Sequence, residues 1–364
     1  MTPAPEASAT AATTSREAPS PFAFLLNDER DLPFIRLMIR AALWLVPAVA
    51  LLYLQYRWWM TPLYLAVTLG YFFPPFTLML HCSSHRQLFR KQYAWMNELI
   101  PWVYSPFLGQ TPCTYAAHHM GMHHPENNLW DDDSSTLPYQ RDNLLHFLHY
   151  FFRFMFVGLK NLLAYLRRTQ RTRLERRARA GELLFWSASL LLLWLHPAAT
   201  LTVFVAPVLI ARFAMMCGNW AQHAFVVASD PNNPYRNSIT CIECTYNERC
   251  FNDGYHIGHH IQPRLHWTEM HRDFEENRAQ YLEQGAIIFR RIDYFAIWAL
   301  LMTHSYKTLA KYFVDLQEPR RSEQEIIQMF RERLVPVPLP MKETGGAEAL
   351  LRAKEGHGAA AEGG

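Results

Sequence analysis

The sequence contains few cysteines, six among 364 residues. So few thiols in a chain of this length do not suggest the disulfide framework of a secreted protein, and they predict a reduced, cytosol-facing protein. Cys241 and Cys244 form a CxxC motif that Cys250 follows. A zinc or rubredoxin-like site needs a second pair, which is lacking, so we expect ordinary free thiols at these positions.

The sequence also lacks a secretory signal and a large net charge. The formal charge is +3, which does not suggest nucleic acid as a partner. Residues 1–22 are rich in Ala, Thr, Ser and Pro and have no apolar h-region, so they are predicted to be a disordered tail rather than a signal peptide. The Gly/Ala/Glu-rich residues 341–364 are predicted to be a second disordered tail, with an amphipathic segment at 319–340 before it.

Apolar residues make up half of the sequence, and they concentrate in four runs that approach the length of a membrane span. The predicted spans are residues 39–56, 62–80, 183–197 and 199–217. Short connections join the first to the second and the third to the fourth, which predicts two membrane hairpins. Arg212 lies near the end of the last run, where its side chain could extend to the interface. The alternative of a soluble α protein with buried core helices is less consistent with this pairing of runs.

Basic residues predict the orientation of these hairpins. Residues 86–181 carry thirteen Lys and Arg, whereas the loop after the first span carries only Arg57 and the loop after the third carries none. Cytoplasmic loops are enriched in Lys and Arg. The termini and both large loops are therefore predicted to lie in the cytosol, and the second and fourth spans to end at the cytosolic face.

Three further apolar segments are not predicted to be spans. Residues 94–108 contain a charged residue and prolines, which predicts an interfacial or re-entrant piece. Residues 144–166 alternate apolar and polar side chains, as expected of an amphipathic helix lying in the interface. Residues 287–313 are interrupted by Arg290, Arg291 and Asp293, which predicts a surface-packed helix.

Histidines form three spaced clusters next to the apolar runs. They are HxxxH at 81–85, HxxxHH at 119–124 and HxxHH at 256–260, and His223 follows the fourth run. Histidines three or four residues apart lie on one face of a helix, so we expect each cluster to aim several ring nitrogens at one point. Nine such ligands are too many for one metal and about right for two. The lone histidines are expected to be structural; they are His146, His149, His196, His266, His271, His304 and His357.

The chemistry of these ligands favours iron. Neutral imidazole binds iron, copper and zinc, but a structural zinc needs only four ligands, which usually include cysteine. Nine histidines at the ends of membrane helices suit two irons that activate dioxygen and abstract hydrogen from an unactivated C–H bond. The membrane supplies a matching substrate, a long alkyl chain. A membrane metal carrier is the alternative from a different class, but it should place its ligands midway through the spans.

The sequence resembles the integral-membrane fatty acid desaturase and hydroxylase superfamily over residues 60–270. The resemblance rests on LHCSSHRQLF from Leu80, YAAHHMGMHHPENN from Tyr115, GNWAQHAFV from Gly218 and NDGYHIGHH from Asn252. It implies an all-α integral membrane domain over residues 23–318, with about four transmembrane helices and a cytosolic helical cap that carries the histidine boxes. It implies as ligands of two irons the residues His81, His85, His119, His123, His124, His223, His256, His259 and His260.

The resemblance also implies a role for Asn219, which would contact one iron directly or through water. His118 beside His119 gives the second box two possible registers, of which His119 completes HxxxHH. Acidic residues near the boxes are candidates to orient the imidazoles. They are Asp253, Glu126, Glu269 and the run 131–133, for which a solvated loop is the alternative.

The activity implied by the resemblance is that of an O2-dependent fatty acyl desaturase. The alternative is a diiron hydroxylase or related oxidase acting on a fatty acid, alkane, sterol or carotenoid, because the same ligands serve both outcomes. No cytochrome b5 heme motif, flavin motif or Gly-rich dinucleotide loop is visible. Electrons are therefore expected from an external donor such as a ferredoxin, a cytochrome b5-like protein or a rubredoxin-like protein. The basic run 167–179 either docks this donor or anchors the chain on anionic membrane lipid.

Overall fold

The computed structural model describes residues 21–339. Within them the chain is mostly helical and contains one two-stranded sheet, which confirms the predicted helical class. The predictions for the two terminal tails concern residues that lie almost entirely outside this range.

Four helices are long and apolar enough to cross a membrane, and each overlaps one of the predicted spans. We call them spans 1 to 4: Glu29–Gln55, Met60–His85, Thr172–Leu195 and Pro197–Gln222. With 24–27 residues they are longer than predicted, because the helices continue into polar residues at their ends. At 1.5 Å per residue they are about 36–40 Å long, more than the roughly 30 Å of a hydrocarbon core.

Apolar side chains cover the outside of the spans. Leu43, Val46 and Leu54 of span 1 and Trp194 of span 3 are all at least 70% exposed. A large exposed apolar surface marks contact with lipid or with another protein, and here it covers helices of membrane-spanning length. The chain is therefore a membrane protein. Its hairpins and its orientation in the membrane stay predictions.

Spans 2 and 4 each contain a wider, π-helical turn. Span 2 consists of the α-helix Met60–Val67, the π-helical turn Thr68–Phe72 and the α-helix Phe73–His85. Span 4 consists of Pro197–Thr200, the π-helical turn Leu201–Val205 and Ala206–Gln222. Each turn is followed by a proline. Proline lacks an N–H and clashes with the carbonyl four residues before it, and a wider turn relieves both effects.

Arg212, which was predicted to extend to the interface, pairs with an acidic residue of span 3. Span 4 continues to Gln222, so Arg212 lies about ten residues before its end. Arg212 Nη2 lies 3.4 Å from Oε1 of Glu182 in span 3. The carboxylate of a neighbouring span therefore holds the guanidinium within the helix bundle, and its position relative to the interface stays a prediction.

The segment after span 2 enters the helix bundle. Its short turns are Lys91–Glu98, Ile100–Tyr104 and Ser105–Leu108. A Cβ on Gly109, where φ is +79°, would lie 2.5 Å from Cβ of Ala211 in span 4, and a Cβ on Gly181 in span 3 would lie 2.0 Å from the carbonyl oxygen of Pro112. Only glycine permits such close approach. The segment is thus wedged between spans 3 and 4, where protein surrounds its irregular backbone. Its place relative to the membrane, interfacial or re-entrant, stays a prediction.

The segment predicted as an amphipathic helix forms the helix Leu144–Arg168. Leu145, Phe152 and Phe156 are spaced on one face and are 73%, 50% and 82% exposed. The opposite side is buried, with Phe147 and Tyr150 fully covered. Apolar side chains thus lie on both the buried and the exposed side of the helix, and its amphipathic character and its place in the interface stay predictions.

The part of the chain after span 4 contains a parallel sheet and short helices. Strand β1, Ile239–Ile242, pairs with strand β2, Ile287–Arg290, so that Ile239 lies opposite Ile287. The prediction of a single helix over 287–313 is wrong. The Ile-Ile-Phe run suits a strand, and left-handed residues, Gly285 and Arg291, bound it.

The remaining helices of the described chain are short. They are Ala23–Leu25, Thr114–His118, His119–His123, His124–Glu126, Pro234–Asn237, Thr245–Arg249, His256–Ile261, Trp267–Glu269, Met270–Glu276, Arg278–Glu283, Tyr294–Met302, Tyr306–Ala310 and Glu323–Arg333. The last begins with a capping box of Ser322 and Glu325 and buries Ile326 and Phe330 on one side. This helix occupies the middle of the predicted amphipathic segment, residues 319–340.

Hydrogen bonds from Arg141 connect the end of this last helix to the residues just after span 4. The side chain of Arg141 is fully buried. It donates hydrogen bonds to the carbonyl oxygens of Ala224, just after span 4, and of Arg333 and Val335 at the end of the helix. The C-terminal part of the described chain is therefore attached directly beside the end of span 4.

All six cysteines are free thiols, as predicted. Cys241 lies in β1, and Cys244 and Cys250 are buried nearby. The two cysteines of the CxxC motif pack against apolar side chains of β2 and of the helices that follow it.

Candidate metal centre

The first histidine box lies in the last turn of span 2. His81 and His85 are four residues apart in the helix Phe73–His85 and therefore share one face. The helix ends at His85, because Arg86 adopts an extended conformation. Span 2 thus delivers two imidazoles side by side at its end.

The second box lies on a π-helical turn, His119–His123, between two short α-helices. A π-helix places residues i and i+5 on one face. His119 and His124 are therefore brought together, while His123 points in a different direction. π-helical turns occur frequently at functional sites.

The third box lies on the short helix His256–Ile261. His256 and His260 are four residues apart and share one face, whereas His259 lies on another. His223 follows directly after span 4, where the helix ends at Gln222. Four separate stretches of chain thus supply the nine histidines.

The nine histidines meet in two groups. Group one consists of His81, His85, His119, His124 and His259, and group two consists of His123, His223, His256 and His260; the ligand atoms of each group lie within 4.8 Å of one another. The prediction that each box aims at one point is correct for the first box only. The second and third boxes are each divided between the groups, because their histidines occupy different helix faces.

The spacing of the ring nitrogens fits a shared metal ion. Nε2 of His119 lies 2.9 Å from Nε2 of His85 and 3.0 Å from Nε2 of His124, and in group two Nε2 of His256 lies 3.2 Å from Nε2 of His223 and 3.0 Å from Nε2 of His260. Two nitrogens bound to one metal at about 2.1 Å and at right angles to each other are about 3.0 Å apart. The donor set of each group therefore fits one metal ion.

Three histidines have partners that fix the tautomer of the ring. His81 Nδ1 donates to Asp253 Oδ1 at 3.0 Å, and His123 Nδ1 donates to Asp132 Oδ2 at 2.6 Å. His223 Nδ1 donates to the carbonyl oxygen of Asn237 at 2.9 Å. With the proton held on Nδ1, the Nε2 lone pair of each ring is free to bind a metal.

Burial favours the neutral form of several of the nine imidazoles. Burial lowers the pKa of His223 to about 3, and it lowers the pKa of His119, His256, His259 and His260 well below the ordinary value. The neighbouring imidazoles act in the same direction, because a proton on one ring disfavours a proton on the next. Unprotonated rings at neutral pH are the form that binds metal.

Two of the candidate acids contact the metal-site histidines. Asp253 bonds to His81 of group one instead of a neighbour in its own box, and Asp132 bonds to His123 of group two. Although burial raises the pKa of Asp132, the charge and hydrogen bonds of His123 and His118 outweigh it and leave that pKa well below the ordinary value. In each group, one carboxylate thus accepts a hydrogen bond from Nδ1 of one histidine. This contact raises the basicity of that histidine as a metal ligand.

The other candidate acids serve different contacts. Glu126 accepts a hydrogen bond from Tyr165, and Glu269 pairs with Arg30. Asp131 is exposed beside Arg168, and Asp133 lies beside Arg153. The expected solvated loop is therefore found at Asp131 alone.

His118 and Asn219 lie beside the groups but outside them. His118 Nε2 is 3.6 Å from Asp132 Oδ1, so His119 is the member of group one. The amide nitrogen of Asn219 donates to the carbonyl oxygen of Ser134 and to the hydroxyl of Tyr150. A direct contact of Asn219 with a metal stays a prediction.

Two residues around Asp253 were not predicted. Tyr246 donates to Asp253 Oδ2 at 2.7 Å, and Gln222 Nε2 lies 3.4 Å from the same oxygen. Neither stands in a box or has a spacing that indicates a role. The contact of Gln222 forms only when the end of span 4 meets the segment before the third box.

A cavity of about 390 Å³ leads to both groups. Its walls are mostly apolar and come from spans 2 and 4 and two further helices: Leu69, Phe73, Leu78, Phe154, Met215, Met216 and Phe295. His81 and His119 of group one and His123 and His256 of group two line its other end. This size and composition are typical of a small-molecule site.

The family model described as fatty acid desaturase matches residues 56–291, more than half of the chain. No curated protein and no solved structure matches the chain. The matched range includes spans 2 to 4 and all nine histidines of the two groups. The chain therefore belongs to the fatty acid desaturase family.

Proposed function

We propose that the protein is a membrane-bound, O2-dependent fatty acyl desaturase with two non-heme irons, which introduces a double bond into a long alkyl chain. The observation that carries this proposal is the apolar cavity that runs along spans 2 and 4 and ends at both histidine groups. An alkyl chain in this cavity reaches the metal groups without leaving apolar surroundings.

The histidine groups would hold one iron each. Group one supplies five neutral nitrogens and group two supplies four, and Asn219 lines the cavity beside group two as a further candidate. Two irons bound there supply the activation of dioxygen that removal of hydrogen from an unactivated C–H bond requires. The protein contributes orientation, because Asp253 and Asp132 hold one imidazole in each group.

The runner-up is a hydroxylase or related oxidase acting on a fatty acid, alkane, sterol or carotenoid. Both outcomes use the same ligands, so the position of the chain in the cavity decides between them. Phe73, Phe154 and Met215 form part of the cavity wall. These residues set which carbon lies beside the groups.

The orientation in the membrane supports a shared cytosolic site. His81 and His85 end span 2, and His223 directly follows span 4, so these two spans end at the same place. Together with the Lys and Arg content of residues 86–181, this supports the proposal that the termini and the active site lie on the cytosolic side.

The electron donor is proposed to be an external protein. The basic run 167–179 is a weak docking candidate, because five of its seven arginines are engaged within the chain. Their partners are Glu175 for Arg167 and Arg179, Asp131 for Arg168, the carbonyl of Gly121 for Arg171 and Glu98 for Arg177. Anchoring of the run on anionic lipid is the favoured role.

Mass spectrometry of host lipids tests the proposal. A host that expresses the chain with a reductant system should accumulate new double bonds, and a matched host that expresses His256→Ala should not. New hydroxyl groups would identify the runner-up instead. Wild-type lipids identical to those of the His256→Ala host, with purified protein that holds no iron, would refute both oxidase proposals.

A metal carrier is the rival from another class. A carrier should hold its ligands midway through the spans, whereas His81, His85 and His223 lie at the ends of spans 2 and 4. Elemental analysis separates the two, because about two firmly bound irons per chain fit the oxidase and exchangeable zinc or copper alone fits a carrier.

A further inference from the structure

A charged pair lies inside the helix bundle, away from the histidine groups. Arg212 of span 4 lies beside Glu182 of span 3, with 3.4 Å between Nη2 and Oε1. The side chain of Glu182 is 6% exposed and that of Arg212 is 19% exposed. Ionisable residues within membrane spans are costly, and where they occur they mark substrate or ion pathways.

The carboxylate of Glu182 is fully engaged by its neighbours. Oε1 accepts hydrogen bonds from Thr111 and Thr114 of the segment between spans 2 and 3, and Oε2 accepts one from Trp186 at 2.8 Å. Arg212 is different. Only its Nη2 is engaged among the residues that the structure describes, at 3.3 Å from Thr111 and 3.4 Å from Glu182. A guanidinium carries five N–H groups, so those on Nε and Nη1 remain available.

Arg212 lines the cavity at a distance from the metal groups. It precedes Asn219 by seven residues and Gln222 by ten, and both of these also line the cavity. At 1.5 Å per residue the guanidinium-bearing turn is about 10–15 Å from the histidine end. Leu69 lines the cavity twelve residues before His81 on span 2, about 18 Å along that helix. The cavity thus has a metal end and a remote end that offers hydrogen-bond donors.

We infer that the remote end of the cavity recognises an uncharged oxygen acceptor, a hydroxyl or carbonyl group, on the far end of the substrate chain, with Arg212 as the donor. This inference rests on the proposed function, in which the cavity holds the chain that reacts. The acceptor is uncharged because Glu182 already balances the charge of Arg212, and a carboxylate would be left as an unbalanced charge in an apolar site. Arg212 is thereby a specificity residue rather than a catalytic one.

The distance along span 4 can be compared with the length of an alkyl chain. An extended chain advances about 1.2 Å per bond, as in extended backbone. This backbone separation of about 10–15 Å corresponds to about 8–12 bonds of extended chain. A chain of sixteen carbons is long enough to reach both ends.

Binding of two chain-matched probes tests the inference. Purified protein in nanodiscs is loaded with tritiated hexadecan-1-ol, which is then displaced by unlabelled hexadecan-1-ol or by hexadecane. The wild type should require at least about ten-fold less alcohol than alkane for half displacement, which is the ratio expected from one hydrogen bond to a charged donor. In the double variant Glu182→Gln/Arg212→Met, which removes both charges together, the ratio should fall to about one.

A second charged pair provides the matched control. Arg177 and Glu98 form an ion pair outside the cavity, so Glu98→Gln/Arg177→Met should keep the wild-type ratio. The single variant Glu182→Gln leaves the positive charge of Arg212 without a balancing carboxylate, so the carboxylate of hexadecanoate should take its place. In this variant the ability of hexadecanoate to displace the tritiated probe, relative to that of unlabelled hexadecan-1-ol, should rise at least about ten-fold. This gain cannot result from misfolding, and it decides the matter if the double variant does not fold.

Several results would overturn the inference. They are the absence of hexadecan-1-ol binding, equal displacement by alcohol and alkane in the wild type, a ratio kept in the double variant, or no gain for hexadecanoate in Glu182→Gln. New double bonds formed by the same wild-type preparation test the proposed function separately. Desaturation without any preference for the alcohol would therefore remove the role of Arg212 alone.

Discussion

Replacing either of two buried acids by Asn is expected to weaken one histidine group and leave the other nearly unchanged. Asp253 bonds to His81 of group one, and Asp132 bonds to His123 of group two. Asn can still accept a hydrogen bond but lacks the negative charge that makes the imidazole a better ligand. Each substitution should therefore act on its own group.

The expected loss is 10–100-fold in the metal affinity of that group, the usual effect of removing a partner behind a ligand. This corresponds to about 1.4–2.7 kcal/mol. Asp132→Asn is expected at the upper end, because its oxygen lies 2.6 Å from the ring nitrogen and its side chain is fully buried. Asp253→Asn is expected at the lower end, because its bond to His81 is 3.0 Å long.

Iron retention against a chelator measures this effect. The wild type should release both irons over one range of chelator concentration, and each variant should release one iron at 10–100-fold lower chelator than the other. Asp131→Asn is the control, since this carboxylate is 54% exposed and pairs only with an exposed arginine. If both variants release iron as the wild type does, the two carboxylates do not support the ligands and the reasoning is refuted.

Three further predictions concern single residues. His118→Asn should keep two irons per chain while His119→Asn loses one, as measured by elemental analysis, because only His119 belongs to a group; equal loss would reverse the assignment. Arg141→Met should lower the free energy of unfolding by about 3 kcal/mol or more, because it leaves several buried carbonyls unpaired; a thermal melt beside the exposed control Arg331→Met measures this, and equal Tm values would contradict it. The metal-free protein should lose stability as pH falls from about 6.5 toward 3, because the unfolded His223 takes up a proton near 6.5 while burial holds the pKa of the folded residue at about 3; the stability is fully present above 6.5. Denaturant titrations at several pH values measure how the free energy of unfolding depends on pH, and the slope reports the number of protons taken up on unfolding. That number should be about one smaller in His223→Gln than in the wild type, and identical slopes would argue against a buried neutral ring.

The sequence predicted the features that depend on local spacing. Long apolar runs indicated the four spans, and the HxxxH spacing indicated that His81 and His85 share a face. Both patterns arise within a few helical turns, where geometry is fixed by 3.6 residues per turn. The helix Leu144–Arg168 was predictable for the same reason.

Features that depend on distant contacts were not predictable. The second box was expected to follow α-helical spacing, but its π-helical turn sends His123 to the other group. Asp253 bonds to His81, 172 residues away along the chain. The run at 287 was expected to be helical, and it became a strand because β1 offers a partner for its backbone groups.

The division of the boxes between the groups has a consequence for the order of biosynthesis. Group one needs His81 from the end of span 2 and His259 from the third box, so it is incomplete until the whole of the chain that carries spans 1 to 4 has been made. The acid behind His81 is also supplied late, at Asp253. Iron can therefore enter group one with its full set of ligands only after the ribosome has passed residue 259, when the four spans have already been synthesised.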